Sequence, residues 1–168
     1  MSSTLHPLLQ PISWLEGSWL SSSGQGQFPT IKPFSYGERL QFKCVGQPMF
    51  EFSSDSWNVE SGKPMHKERG FLRIQIPSSS PSPSLSLSMM VAHNFGVTSI
   101  EEGDYSDGVL SLKSKQFSRM TGAKDPAASQ LERTFRLLEN GSLELVIFME
   151  TANTPLTEHL RAVYTKET

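Results

Sequence analysis

Apolar and polar residues alternate along most of this chain, which is the period expected of strands that bury one face. Clear runs of this kind lie at 39–44, 85–89, 133–137 and 143–147. Asn140-Gly141 lies between the last two runs and predicts a hairpin, because a type I′ turn needs positive φ at both central residues. The pattern therefore predicts antiparallel strands joined by tight turns.

The turn-forming residues between the other runs also favour an all-β fold. Further turns are expected at Val45-Gly46-Gln47-Pro48, Ser61-Gly62-Lys63-Pro64 and Asp107-Gly108. Strands recur about every ten residues without a helical crossover, which excludes a doubly wound α/β fold. A sandwich and an up-and-down barrel both remain open, and the advantage of closing every sheet edge favours the barrel.

Only the first segment has helical spacing. Leu8, Ile12 and Leu15 are three or four residues apart, while Pro7 and Pro11 limit the helix to a turn or two. We expect this short N-terminal helix to close one mouth of the barrel with its apolar side chains. Those side chains are Leu8, Leu9, Ile12, Trp14 and Leu15.

The length of 168 residues predicts a single domain spanning 1–168. Segment 77–84 is rich in serine and proline, so an exposed loop that lengthens one hairpin is expected there. Cys44 is the sole cysteine, which excludes a disulfide framework and favours a reducing compartment. These features predict a cytoplasmic protein, with the nucleus as a second compartment.

The charge pattern excludes several classes of partner. The net charge of −2 comes from 15 basic and 17 acidic residues spread along the chain. Without a basic stripe, binding of nucleic acid through this domain is not expected. The longest apolar runs are too short to span a membrane, and the first residues lack the regions of a secretory signal.

Four histidines are the candidate centres of chemistry: His6, His66, His93 and His159. No two of them have the i, i+4 spacing of a helical zinc site, and the chain has no nucleophile elbow. Glu101-Glu102 come before Gly103 in a predicted turn. Adjacent strand residues point to opposite faces, so the two are not a convergent carboxylate pair, and solvated charge is their expected role. The residues alone predict a barrel with an apolar pocket.

Five separated motifs, in order along nearly the whole chain, resemble the nitrobindins, a family of small haem-binding β-barrels. They are 14–19 with 24–36, 46–49, 63–68, 94–97 leading into 101–103, and 155–160. The chain departs from the family pattern in the loop Gly17–Gly24, where Ser21 replaces an expected glycine and the loop is longer. That departure concerns the local geometry at the haem edge more than the fold.

The resemblance implies a ten-stranded antiparallel up-and-down barrel that holds b-type haem at one mouth. By motif, His159 falls on the proximal iron ligand and Thr30 on a threonine that lies against the haem. Met65, His66 and Met149 fall on positions that line the haem environment. Family members keep the iron mainly ferric, bind nitric oxide and convert peroxynitrite to nitrate.

The implied function is therefore that of an enzyme, a haem-dependent peroxynitrite isomerase that scavenges or senses reactive nitrogen species. Two other classes remain open: a carrier of an apolar ligand such as a fatty acid, and an interaction module without haem. The oligomeric state is also open, and a homodimer is one of the states considered. A visible absorption spectrum would separate these functions.

Overall fold

Ten antiparallel strands form a closed barrel, in which each strand pairs with its sequence neighbours and β1 also pairs with β10. The computed structural model describes residues 4–75 and 84–168. The strands are β1 Gly17–Phe28, β2 Ile31–Cys44, β3 Met49–Asn58, β4 Pro64–Ile74, β5 Leu85–His93, β6 Val97–Ser106, β7 Val109–Arg119, β8 Ala128–Leu137, β9 Leu143–Thr151 and β10 Thr154–Lys166. The predicted up-and-down barrel is confirmed, while residues 77–83 of the predicted loop lie outside the described residues. The expected loop over 17–24 is wrong: this stretch belongs to β1, where the extra residues are taken up by shifts in the register with β2 and β10.

The predicted hairpins are present, although one turn differs from its expected type. Asn140-Gly141 connects β8 to β9, but only Gly141 has a positive φ there, at 82°. The connection is a longer loop in which the Leu138 N–H donates to the Ser142 carbonyl at 2.8 Å. The conformation with positive φ at both central residues occurs instead at Asp107-Gly108, where φ is 51° and 78°.

The N-terminal helix is a 3₁₀ helix, Pro7–Leu15, and packs against the barrel core. Its fully buried residues are Leu9, Ile12 and Leu15, which recur every three residues as a 3₁₀ helix requires. Leu8, expected to be buried from α-helical spacing, is 41 % exposed for the same reason. No helix in residues 4–75 or 84–168 combines the length and apolar character needed to cross a membrane.

The barrel interior changes character along its axis. On β4, the inward positions run from His66 through Glu68 to the fully buried Leu72. On β8 the same order is Leu131, then Arg133, then Phe135. The apolar core, which includes the helix residues, therefore fills one end of the barrel, and a layer of buried polar residues separates it from the other end.

The ladder between β7 and β8 stops before the strands do. Its last pair is Lys113 with Glu132, although β7 continues to Arg119 and β8 already begins at Ala128. In this stretch β7 and β8 are not paired with each other. We call it the seam; it comprises residues 114–119 of β7 and 128–131 of β8. The seam opens the wall of the barrel at the end away from the N-terminal helix.

Candidate functional site

A cleft of about 750 Å³, including its open mouth, lies at the seam end of the barrel. Most of the lining is apolar, with histidines and two cations among it. The lining residues are His66, Glu68, His93, Phe95, Val97, Phe117, Arg119, Lys124, Pro126, Ala127, Ala128, Leu131, Ile147, Met149, His159 and Leu160.

A β-bulge in β10 directs His159 into this cleft. The register with β9 runs from Glu158 opposite Phe148 to Leu160 opposite Ile147, so His159 is the extra residue. A bulge of this kind turns a side chain away from the direction that strict alternation would give it. Strict alternation would place Leu160 on the opposite face from His159, but both line the cleft because the alternation is broken here.

The His159 ring is held in one orientation by contacts from β1 and β2. Its Nδ1 is 3.0 Å from the Gln27 carbonyl oxygen, which can only accept, so Nδ1 carries the hydrogen of the neutral ring. Phe28 and Phe34 contact the ring edge-on, with centroids 5.4 and 6.4 Å away. Burial lowers the pKa of His159, so the neutral form, with a bare Nε2 lone pair, prevails at neutral pH.

The structure brings together three of the five residues named by motif. His66, Met149 and His159 all line the cleft. Thr30 lies in the turn after Phe28 and is exposed, and Met65 is 36 % exposed on β4. Neither Thr30 nor Met65 is among the cleft-lining residues, and their contact with a bound haem stays a prediction.

Beneath the cleft, one hydrogen-bonded cluster links the two inner histidines to buried charges. His66 Nε2 lies 3.1 Å from His93 Nδ1, and the rings are nearly parallel. Glu68 Oε1 is 3.4 Å from the same His93 nitrogen. Glu68 is also paired with Arg133, whose Nη1 donates to Glu68 Oε2 at 2.9 Å.

The cluster continues to a second buried carboxylate. Arg133 donates to both oxygens of Glu101, at 2.7 and 3.0 Å. Ser99 joins the two halves, since its hydroxyl lies 3.1 Å from His93 Nε2 and donates to Glu101 Oε1 at 3.0 Å. Glu101, expected to be solvated, is fully buried because Arg133 neutralises it inside the barrel.

Burial and the neighbouring charges have opposite effects on the pKa values of Glu68 and His66. Burial acts to raise the pKa of Glu68, but the Arg133 guanidinium and the hydrogen bond from His93 hold it well below 4.5. Burial lowers the pKa of His66 to about 4, although the Glu68 charge opposes this. At neutral pH the Glu68 carboxylate is therefore ionised.

Acid is expected to destabilise the fold from pH 6.5 downwards. The unfolded chain takes up a proton on His66 near pH 6.5 and the folded chain only near pH 4, so stability falls between these values. Because 30 % of the His66 side chain is exposed, we expect a loss of about 1–2 kcal/mol. Below pH 4.5 the loss continues as Glu68 is protonated, since its folded pKa is the lower one.

Urea unfolding at pH 7, 5.5 and 4.5 measures this dependence. In His66→Gln the slope of stability between pH 6.5 and 4 should be reduced, because the glutamine cannot be protonated. A matched control is His6→Gln, which replaces an imidazole near the N-terminal helix and away from the cleft. Equal acid sensitivity of His66→Gln and the wild type would contradict this account.

The loop 120–127 forms the outer wall of the cleft. Arg119, at the end of β7, organises it by donating to the Ala123 and Lys124 carbonyls, each at 3.0 Å, and to Asp125 Oδ1 at 3.2 Å. Arg119 and Lys124 both line the cleft on this side, and Asp125 offsets part of the positive charge through its pairing with Arg119. A rim of this sign attracts an anion towards an otherwise apolar cleft.

Several important residues carried no distinctive signal in the sequence. His66 and Glu68 share a strand face by period two, but their partners His93 and Arg133 lie 27 and 65 residues away along the chain. The acceptor of His159, Gln27, lies 132 residues away. The only hint in the sequence is that Arg133 lies in an alternating run. The spacing of that run does not show whether the arginine is buried or exposed.

Comparison with known proteins shows what this chain is similar to. Residues 8–166 match the family described as "THAP4-like, heme-binding beta-barrel domain". The chain is 40 % identical over 165 residues to "Peroxynitrite isomerase THAP4" of Rattus norvegicus, covering 98 % of this chain and 28 % of that protein. The chain thus spans about 28 % of the length of this curated relative.

Other relatives are matched over nearly their full length. "Peroxynitrite isomerase Rv2717c" of Arabidopsis thaliana is 34 % identical, with 98 % of this chain and 92 % of that protein covered. The structure titled "Crystal Structure of Rv2717c from M. tuberculosis" superimposes with a TM-score of 0.83 at 32 % identity. The superposition covers 98 % of this chain and all of that one (100 %), so the likeness extends to the whole barrel.

Proposed function

The chain belongs to the THAP4-like heme-binding β-barrel family, and on that premise we propose that it is a ferric b-type haem protein that isomerises peroxynitrite to nitrate and binds nitric oxide. One observation carries the proposal. The neutral His159 ring, fixed by its Nδ1–H bond to the Gln27 carbonyl, presents its other nitrogen for iron. This is the arrangement by which proteins orient an imidazole metal ligand.

The residues around the cleft fit a haem. Apolar side chains such as Phe117, Leu131 and Ile147 suit the faces of a flat macrocycle, and the seam gives it an opening in the barrel wall. Arg119 and Lys124 lie at the rim, where they suit its carboxylate groups. Non-covalent, b-type binding is favoured because Cys44, the sole cysteine, is buried in the core away from the cleft.

Each part of the site has a role in the proposed reaction. Bound haem would supply the iron at which an anionic oxidant binds and its O–O bond is rearranged. His159 holds the haem in position, and the rim cations raise the local concentration of the anion. The apolar walls exclude water, which limits the escape of reactive fragments.

Reconstitution with hemin tests the proposal. We expect a ferric Soret band that shifts on addition of nitric oxide. In stopped-flow mixing the loaded protein should accelerate peroxynitrite decay with nitrate as the product, compared with hemin alone and with haem-free protein. Haem binding without acceleration would contradict the isomerase and leave a nitric oxide carrier. Absence of haem binding would contradict both.

A further inference from the structure

The buried cluster between the cleft and the apolar core has formal charges that do not balance. Glu68, Glu101 and Arg133 are 4 %, 0 % and 1 % exposed. Two carboxylates that share one guanidinium leave a net charge of −1 inside the barrel. An uncompensated buried charge is costly, so a further positive charge beside these carboxylates would be stabilised.

The hydrogen bonds restrict where such a charge can reside. Both oxygens of Glu101 accept from Arg133, and Ser99 gives its single hydrogen to Glu101 Oε1. The Ser99 oxygen can therefore only accept from His93 Nε2, which lies 3.1 Å away. His93 Nε2 thus carries a hydrogen in either protonation state of the ring, and Nδ1 is the nitrogen whose protonation can change.

His93 Nδ1 faces the two groups best suited to a proton. Glu68 Oε1, 3.4 Å away, supplies the negative charge, and His66 Nε2, 3.1 Å away, supplies a lone pair. The two rings contact each other and also the tilted ring of Phe95, whose centroid lies 4.9 Å from that of His66 and 5.3 Å from that of His93. In the described part of the chain, His66 Nδ1 has no hydrogen-bond partner, and this ring lines the cleft.

We propose that the His66–His93 pair carries one proton more than two neutral rings would, and that it donates this proton reversibly to an anionic ligand in the cleft. The pair thereby acts as a proton donor in the reaction, and this role rests on the proposed function. The hydrogen on His93 Nδ1 moves to His66 Nε2 while the hydrogen on His66 Nδ1 moves to an oxygen of the ligand. Both rings are neutral afterwards, and Glu68 keeps its ion pair with Arg133.

The proton is recovered within each turnover. Isomerisation of peroxynitrite breaks its O–O bond and forms an N–O bond, so atoms and electrons balance without a co-reactant. Nitrate is a far weaker base than peroxynitrite, so the proton returns along the same two rings when the product forms. The pair then carries its extra proton again beside the Glu68 carboxylate and can serve the next ligand.

The surrounding groups favour a single positive charge on the histidine pair and oppose the protonation of both rings. Burial and the charges of His93 and Arg133 lower the pKa of His66 to about 4. Burial also raises the pKa of Glu38, whose carboxyl accepts from Ser54 and Tyr164, and this shift favours the neutral form of Glu38. Arg133 on β8 and His159 on β10 act on His66, while Glu38 on β2 and Tyr164 on β10 act on Glu68. The other charged groups nearby are Glu101 on β6, joined to His93 through Ser99, and Arg119 and Lys124, which line the same cleft.

Nitrogen NMR of the haem-free protein at pH 7 tests the proton site directly. Two-bond ¹H–¹⁵N correlations should show both His93 nitrogens protonated and His66 neutral with its hydrogen on Nδ1. Glu68→Gln should remove the positive charge from the pair. The control is Glu132→Gln, whose carboxylate pairs with Lys113 at the surface at 3.5 Å and should leave both rings unchanged. Two neutral rings in the wild type would overturn the proposal.

A second measurement separates this proposal from the proposed function. In the haem-loaded protein, His93→Gln should slow peroxynitrite decay by roughly 100-fold and flatten its pH profile, with the Soret band unchanged. An unchanged rate in this variant would overturn the role in catalysis. If the NMR shows the proton but the wild type does not consume peroxynitrite, the isomerase fails while the proton site stands.

Discussion

His159→Ala is expected to lower haem affinity by roughly 100-fold or more, so that most of the Soret band is lost after hemin addition and gel filtration. The reason is geometric. His159 is the extra residue of a bulge, and its ring is fixed by Gln27, Phe28 and Phe34. No neighbouring side chain on β10 can take its place without a change of register.

Added imidazole provides a rescue of this variant. It can occupy the space left by the ring and should restore part of the Soret band in His159→Ala. His6→Ala, which removes an imidazole beside the N-terminal helix, should bind haem as the wild type does. Urea midpoints of all variants check that the fold is retained. An unaltered spectrum in His159→Ala would contradict the assignment of the iron ligand.

Arg133→Met is expected to destabilise the fold by about 3–5 kcal/mol, because two buried carboxylates lose their shared counter-ion. Arg133 is 1 % exposed and makes four hydrogen bonds, two to Glu68 and two to Glu101. The free energy of unfolding in urea measures the effect. Arg136→Met, on the same strand but exposed, is the matched control and should change stability by less than about 0.5 kcal/mol.

The pH dependence of this variant distinguishes lost charge from lost packing. Without Arg133, burial raises the folded pKa of Glu68 above its unfolded value, so protonation favours the folded state. The difference between Arg133→Met and the wild type should therefore narrow as the pH falls from 7 towards 4. Adding Glu68→Gln and Glu101→Gln to Arg133→Met should recover part of the stability at pH 7. A difference that is constant with pH would indicate lost packing alone.

The sequence was sufficient for antiparallel strands because period-two alternation and turn residues are local signals, whereas the choice of a closed barrel over a sandwich rested on the cost of open sheet edges and on the family resemblance. Where a regular strand persists, as on β4, alternation correctly puts His66 and Glu68 on one face. Alternation gives the wrong face where the register between β9 and β10 shifts, because the bulge at His159 directs both this residue and Leu160 into the cleft. A one-residue irregularity leaves no mark in the hydrophobic pattern of the strand.

Buried charge was the second feature that the pattern could not predict. Glu101 in isolation resembles any exposed strand carboxylate, and its burial depends on Arg133, 32 residues away. The two residues meet because β6 and β8 both face the interior of the closed barrel, and residues next to them in the chain do not indicate this contact. The residues of the site that depend on long-range pairing therefore required the structure, whereas the iron-ligand candidate came from motif resemblance.

The seam between β7 and β8 has a consequence for the lifetime of the loaded protein. Where backbone pairing is absent, local opening costs far less than global unfolding. A planar ligand bound in the cleft would then leave through residues 114–119 and 128–131 when this wall and the adjoining loop open briefly. Cofactor residence time and thermal stability become separate properties, and substitutions around Arg119 can alter the first while the apolar core preserves the second.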